Sequence, residues 1–214
     1  REGGIRLPFD PDHAPVEEAP SWPRPRAPSV DESTVRATTR VTGPGIAPRP
    51  ALPLANGDLL RWAAGNVRPQ RQAGYVLAAV TLPLGDVTAG QFRVLADLAR
   101  AYGDGTVRTT PEQNFVLRWV QSEDVPALFE RLAAAGLAVP GAGTLQDVTS
   151  CPGAETCRIA VTQSRAMARV LGDHLRALPA IVSAADDLSI KISGCPNGCG
   201  QHHVAGIGLQ GSFR

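Results

Sequence analysis

Tyr75-Val76-Leu77-Ala78-Ala79-Val80-Thr81-Leu82 is β-branched and apolar throughout, the pattern of a strand buried on both faces. Working outward from it, Thr88 and Gln91 stand at capping-box spacing, and Phe92, Leu95, Ala96 and Ala99 share one helical face, so a helix follows the strand. Asp104-Gly105 marks a turn, Thr106 to Thr110 a short strand, and Phe115 to Val120 an alternating strand. Ser122 can cap a second helix that turns Val125, Leu128, Phe129 and Leu132 inward and stops at Gly136. The order β-α-β-β-α is most of a ferredoxin-like split unit, a scaffold that says little about chemistry by itself.

The flanks differ in texture. Residues 1–53 hold eleven of the nineteen prolines. A backbone so short of amide donors cannot build regular ladders, so residues 1–73 are expected to form a Pro-rich linker or extended arm, with Phe9 and Trp22 available to dock it. Residues 74–139 are expected to form the ferredoxin-like unit, and 140–214 a second, α/β unit. In that second unit Arg158 to Leu178 reads as a long helix offering Ile159, Met167, Val170, Leu171 and Leu175 to a core, while Leu188 to Ile192 and Val204 to Leu209 read as strands. The expected class is α+β.

Composition narrows the function classes. With 214 residues, 43% hydrophobic and 19% charged, the chain can bury a sizeable core. Its 21 basic residues nearly match 20 acidic ones for a net charge of +1, so no nucleic-acid partner is expected. No apolar run approaches the roughly 20 residues of a membrane span. The first residues lack a secretory apolar core, and the cytoplasm is the expected location. The chain has no initiating Met and ends after an apparent strand, so a piece of a longer protein is expected.

All four cysteines fall in two tight clusters, Cys151-Pro-Gly-Ala-Glu-Thr-Cys157 and Cys195-Pro-Asn-Gly-Cys199. Four thiols can close one Cys₄ site. Three readings stand beside one another: disulfides, which the expected reducing location weakens; structural zinc, whose pairs usually have narrower spacing than the first cluster; and an iron–sulfur cluster, which Gly/Pro-rich loops suit. Cys157 is expected in the first turn of the long helix, where the positive end of the macrodipole lowers a thiol pKa. Amides near Gly153 and Gly198 could donate to cluster sulfurs. His202 and His203 are adjacent, point in different directions, and are expected to be dispensable.

The double cysteine pattern, with Thr149-Ser150 before the first cluster and Ile192-Ser193-Gly194 before the second, resembles the siroheme-dependent nitrite and sulfite reductases. Tyr102-Gly103-Asp104-Gly105, Arg108-Thr109-Thr110, Gln113-Asn114 and Ile207-Gly208-Leu209-Gln210-Gly211 extend the resemblance across Gly74 to Gly211. It implies a ferredoxin-like half-domain followed by a siroheme- and [4Fe–4S]-binding unit, the cysteine-bearing half of a pseudo-symmetric enzyme whose first half lies elsewhere. Cys151, Cys157, Cys195 and Cys199 would ligate the cluster, with the Cys199 sulfur shared with the siroheme iron. Ser193, Gly194, Asn197, Arg108, Gln113 and Asn114 are candidate cofactor-binding residues, with Arg118 and Lys191 as further candidates for the siroheme carboxylates. No catalytic residue is assigned. The implied reaction is six-electron reduction of nitrite or sulfite, fed by ferredoxin or a similar one-electron donor. The alternatives are a non-catalytic iron–sulfur carrier or cofactor-binding module, and a zinc module.

Overall fold

The computed structural model describes residues 57–185 and 188–213. Most of the expected arm, residues 1–56, lies outside them. Its last part is not an arm: helix α1 (Asp58–Asn66) and strand β1 (Val67–Pro69) occupy it. Leu59, Trp62, Ala63 and Asn66 recur with helical period, and all four face the core. Asn66 fixes the helix end. Its amide donates to the Ala79 carbonyl (2.9 Å), Thr81 Oγ1 (2.9 Å) and the Val139 carbonyl (3.1 Å), and its oxygen accepts from the Gly141 amide (2.8 Å).

Strand β2 (Tyr75–Val80) pairs with β1 on one side and β4 (Phe115–Gln121) on the other, and β3 (Arg108–Thr109) completes an antiparallel sheet of order β1-β2-β4-β3. The strand is not buried on both faces as its composition suggests. Val76, Ala78 and Val80 are buried beneath the helices, whereas Tyr75, Leu77 and Ala79 are half-buried on the other face. A run of apolar residues hides that alternation. The β2–β4 register shifts between Val76 and Ala78, and on β4 Trp119 takes a left-handed φ of 59° beside the shift.

Helices α2 (Ala89–Tyr102) and α3 (Val125–Ala134) cover the buried face. Thr88 and Gln91 form the expected capping box. The inward stripe of α2 is rotated from expectation. Val94, Leu95, Leu98 and Ala99 are buried, and Phe92 is exposed with its ring edge against Phe115. Nor does Ser122 cap α3: its hydroxyl donates to the Gly74 carbonyl (3.1 Å), and a 3-10 turn (Ser122–Asp124) precedes the helix. Gly136 ends the element at φ 68°, as its position suggests.

The second unit is a parallel sheet, β5 (Thr149–Ser150), β6 (Ile190–Ser193) and β7 (Ile207–Gln210), in that order. Helices α4 (Ser164–Arg176) and α5 (Pro179–Ala184) form the crossover that parallel pairing demands. Here the long-helix expectation fails. Residues 157–163 are irregular, Ile159, Met167 and Val170 are exposed, and Ala168, Leu175 and partly buried Leu171 carry the contact. Close approach selects the small residues, because Ser164, Ala168, Gly172 and Leu175 are the buried positions of α4.

The units interlock. Leu84, from a turn of the half-domain, inserts into the second core with Leu145, Val148, Ala168 and Ile190. Arg165 donates to the Leu84 carbonyl (3.0 Å), Asp86 Oδ2 (2.6 Å) and Glu155 Oε2 (3.0 Å), clamping that turn to the first cysteine loop.

Candidate cysteine-rich cofactor site

Cys151 leaves the end of β5 and Cys195 leaves the end of β6, so parallel pairing of Ser150 with Ile192 brings the two loops side by side. Backbone bonds then lock them. The Cys151 amide donates to the Ile192 carbonyl (3.1 Å), and the Val161 amide donates to the Gly194 carbonyl (2.9 Å). A side chain at Gly194 would stand 3.0 Å from the Cα of Gly153 and 3.1 Å from the Thr162 carbonyl, so glycine is what allows the contact.

The Gly194 amide donates to Cys151 Sγ at 3.1 Å, and Ser164 Oγ lies 3.3 Å from the same sulfur. Burial pushes the Cys151 thiol up, but the Ser164 hydroxyl and the amides of Gly194 and Gly153 outweigh it and hold the pKa below that of a free cysteine. Two expectations change. Cys157 is not in the first turn of a helix, because the helix begins at Ser164, and the serine that opens it meets Cys151 instead. The amide that donates to a cysteine sulfur is that of Gly194, with the Gly153 amide adding to the lowering of the Cys151 pKa.

All four thiols are free: Cys151 and Cys195 are buried, Cys157 is half-buried and Cys199 is exposed. Among the described residues no three His, Cys, Asp or Glu side chains converge as they must around one metal ion. Four thiols on two Gly/Pro-rich loops are the soft donor set that a [4Fe–4S] cluster takes.

The remaining sequence candidates separate into groups. Ser193 Oγ is buried, receives the Gly200 amide (3.1 Å) and meets His202 Nδ1 (2.8 Å), which supports the turn leading away from Cys199. Asn197 is exposed beside Cys195 at a small cavity also lined by Ile159 and Phe213. Gln113 exchanges hydrogen bonds with the Ser150 backbone at 2.9 and 3.3 Å, joining the half-domain to the strand that ends at Cys151. Asn114 is 3% exposed and committed on both sides, accepting from the Leu82 amide (2.8 Å) and donating to Asp147 Oδ2 (2.6 Å). Arg118 pairs with Asp104 (2.8 Å), Lys191 is buried and donates to Gln201 (2.8 Å), and Arg108 is exposed on β3. Gln113, Asn114 and Arg118 each hydrogen-bond to other residues of the protein.

A second cavity of about 450 Å³ lies between the units, bounded by Leu77, Ala79 and Val116 of the sheet and by Asp147 and Lys191.

Residues 68–135 match the nitrite/sulfite reductase ferredoxin-like half domain, and residues 141–214 match the nitrite and sulphite reductase 4Fe-4S domain. The chain belongs to the nitrite/sulfite reductase family. Similar to this nitrite/sulfite reductase chain is the ferredoxin–nitrite reductase of Synechococcus elongatus, 32% identical over 164 residues, which are 75% of this chain and 31% of that protein. A chloroplastic ferredoxin–nitrite reductase of Oryza sativa subsp. japonica is 33% identical over 68% of this chain and 24% of its own length. Among solved structures, the Mycobacterium tuberculosis NirA protein aligns with a TM-score of 0.60 and 27% identity, covering 79% of this chain and 30% of that one. The chain thus spans about a quarter to a third of the length of these relatives.

Two residues near the cysteine loops are not among those the sequence singles out. Ser164 and Arg165 open α4, and both serve the cysteine loops. Apolar Ile159 extends the apparent helix upstream and conceals its true start. Gln163-Ser164 was the available signal.

Proposed function

We propose that this chain is the cluster-bearing part of a ferredoxin-fed oxidoreductase that reduces nitrite by six electrons to ammonia, with Cys151, Cys157, Cys195 and Cys199 holding a [4Fe–4S] cluster and Cys199 shared with siroheme. One observation carries it: of four free thiols on two interlocked loops, Cys199 alone is exposed. A shared ligand must reach a second cofactor outside the protein frame, and an exposed thiol can do so. The matched 4Fe-4S domain over residues 141–214 and the relatives named ferredoxin–nitrite reductase support the cluster, donor and anion. When bound, the coupled centre would supply the one-electron steps that reduce the anion.

What this chain contributes is placement. Cys151 and Cys195 are buried, so the cluster edge they hold is shielded from water, while the Gly194 and Gly153 amides and Ser164 offset thiolate charge. Exposed Arg108 and Asn197 are the candidates of this chain free to meet siroheme carboxylates. The complementary half of the enzyme would supply the remaining contacts and the anion-binding cations. Among the described residues no helix is long and apolar enough to cross a membrane, and the cytoplasm is the proposed location.

The test is anaerobic isolation of the intact protein, its absorption and paramagnetic spectra, and steady-state turnover of nitrite and sulfite with an artificial one-electron donor. Coupled siroheme and cluster signals with nitrite turnover are expected; a preference for sulfite corrects the anion. A colourless zinc protein overturns the reading, and a cluster without siroheme or turnover favours the carrier alternative. Cys199→Ser should weaken the coupling and abolish anion reduction, whereas His202→Ala with His203→Ala should keep its iron.

A further inference from the structure

Ser164 is 1% exposed, and its Oγ stands 3.0 Å from the Cys151 carbonyl oxygen and 3.3 Å from the Cys151 sulfur. A hydroxyl carries one proton. With Cys151 as a neutral thiol there is no conflict, because the S–H can point at Oγ while the O–H serves the carbonyl. Ligation removes the thiol proton and leaves the sulfur an acceptor. An Oγ still turned to the carbonyl would then present a lone pair to a thiolate at 3.3 Å, in a pocket where Cys151 is only 6% exposed and water cannot intervene.

The carbonyl can release that proton. Ser150 Oγ also donates to it, at 2.9 Å, so Cys151 O keeps a partner when the Ser164 hydroxyl turns away. The Gly194 amide at 3.1 Å supplies the fixed member of the donor set.

We infer that the Ser164 hydroxyl rotates from the Cys151 carbonyl to the Cys151 sulfur when the cluster is bound, with Ser150 taking over the carbonyl, and that this donor raises the reduction potential of the cluster. The inference rests on the reading of Cys151 as a cluster ligand. Reduction adds negative charge to cluster and ligands, and a hydrogen bond to a ligand sulfur stabilises the more negative state. Ser164 is thus a positioning and tuning residue for electron entry.

The experiment is a redox titration of the intact holoenzyme, following the reduced-cluster paramagnetic signal. Ser164→Ala is expected to move the midpoint to a more negative value, and Ser164→Thr, which keeps a hydroxyl, to return it toward wild type. A midpoint in Ser164→Ala equal to wild type overturns the inference. Should Ser164→Ala fail to load iron, Ser150→Ala decides the matter. Stripped of its other donor, the carbonyl would hold the Ser164 proton and the midpoint would again fall, while an unchanged midpoint overturns the inference. A wild-type protein without a cluster signal instead defeats the functional reading itself, so the two failures are distinguishable.

Discussion

Asn114 Nδ2 stands 2.6 Å from Asp147 Oδ2, joining the residue just before strand β4 of the half-domain to the loop that leads into the cysteine-bearing unit. Burial pushes the Asp147 carboxyl up to about 6, against the lowering effect of the Gly143 amide and Asn114; Glu112 adds to the rise and Lys191 opposes it. An unperturbed aspartate titrates near 3.8, so between about pH 4 and 6 the folded protein holds a proton that the unfolded chain has released. Asp147 therefore favours folding on the acid side, and that contribution is lost as pH rises through this window, on the order of 3 kcal/mol by pH 7. Asp147→Asn keeps an acceptor but cannot ionise, and it should flatten this part of the pH dependence. Urea unfolding of the intact protein at pH 4.5 and 7 checks it, and identical pH dependence in the two proteins would absolve Asp147.

Arg165 should matter far more than arginines of similar appearance. Its guanidinium holds Asp86, Glu155 and the Leu84 carbonyl while remaining largely buried. Arg165→Leu is expected to cost about 2 kcal/mol and to loosen the first cysteine loop, since partly buried charged hydrogen bonds are the strong ones. Arg176→Ala, which breaks an exposed pair with Asp173, should cost under about 0.5 kcal/mol. Denaturant midpoints of both variants, with iron content, decide it. Equal losses would mean that the clamp contributes nothing special.

Gly194→Ala should separate the cysteine loops. The added methyl meets two backbone positions, Gly153 Cα and the Thr162 carbonyl, neither of which can swing aside. Overpacking of this kind costs about 1–3 kcal/mol, and here it would also pull the Gly194 amide from Cys151 Sγ. Iron loss is the expected readout. Gly172→Ala on α4 is the contrasting case: its nearest atoms are 3.4 Å and 3.6 Å away, and helix propensity should give a gain of up to about 1 kcal/mol. Full iron occupancy in Gly194→Ala would show that the loops tolerate wider spacing.

Thr88→Ala removes the side chain that accepts from the Gln91 amide at 3.2 Å. A loss of about 1 kcal/mol is expected by thermal or urea unfolding. Gln91→Ala should cost more, because the Gln91 amide group also donates to the Ala135 carbonyl (3.0 Å) and ties α2 to the end of α3. The reverse order would argue that the tie is unimportant.

Local signals carried much of the fold. The capping box and the stop at Gly136 act over a few residues and stand where their chemistry suggests; the strand read from Phe115 to Val120 forms, but its alternation breaks at the register shift, where Trp119 and Val120 are both buried. Signals that depend on a distant partner misled. Ile159, Met167 and Val170 look like core residues, yet they are exposed while small Ala168 and Gly172 make the close contact. Ser122 has the chemistry of a cap, but the Gly74 carbonyl across the sheet claims its hydroxyl. Helix α1 was hidden by the proline-rich stretch before it, although Leu59, Trp62, Ala63 and Asn66 carry its period.

The site divides the same way. By itself the sequence offered the candidate donors, because all four of its thiols fall in two Gly/Pro-rich clusters, whatever the fold. It also showed the β-α-β-β-α order of the half-domain from Tyr75 onward, whose elements are set largely by near neighbours, but not the helix and strand at Asp58–Pro69 that complete it. Only the tertiary structure decided which sulfur is exposed and which is surrounded by donors. Parallel pairing of β5 with β6 carries Gly194 to Cys151 across 43 positions, and the crossover returns Ser164 to the same sulfur. Such contacts depend on through-space packing between segments remote in the chain, and no spacing within one segment encodes them.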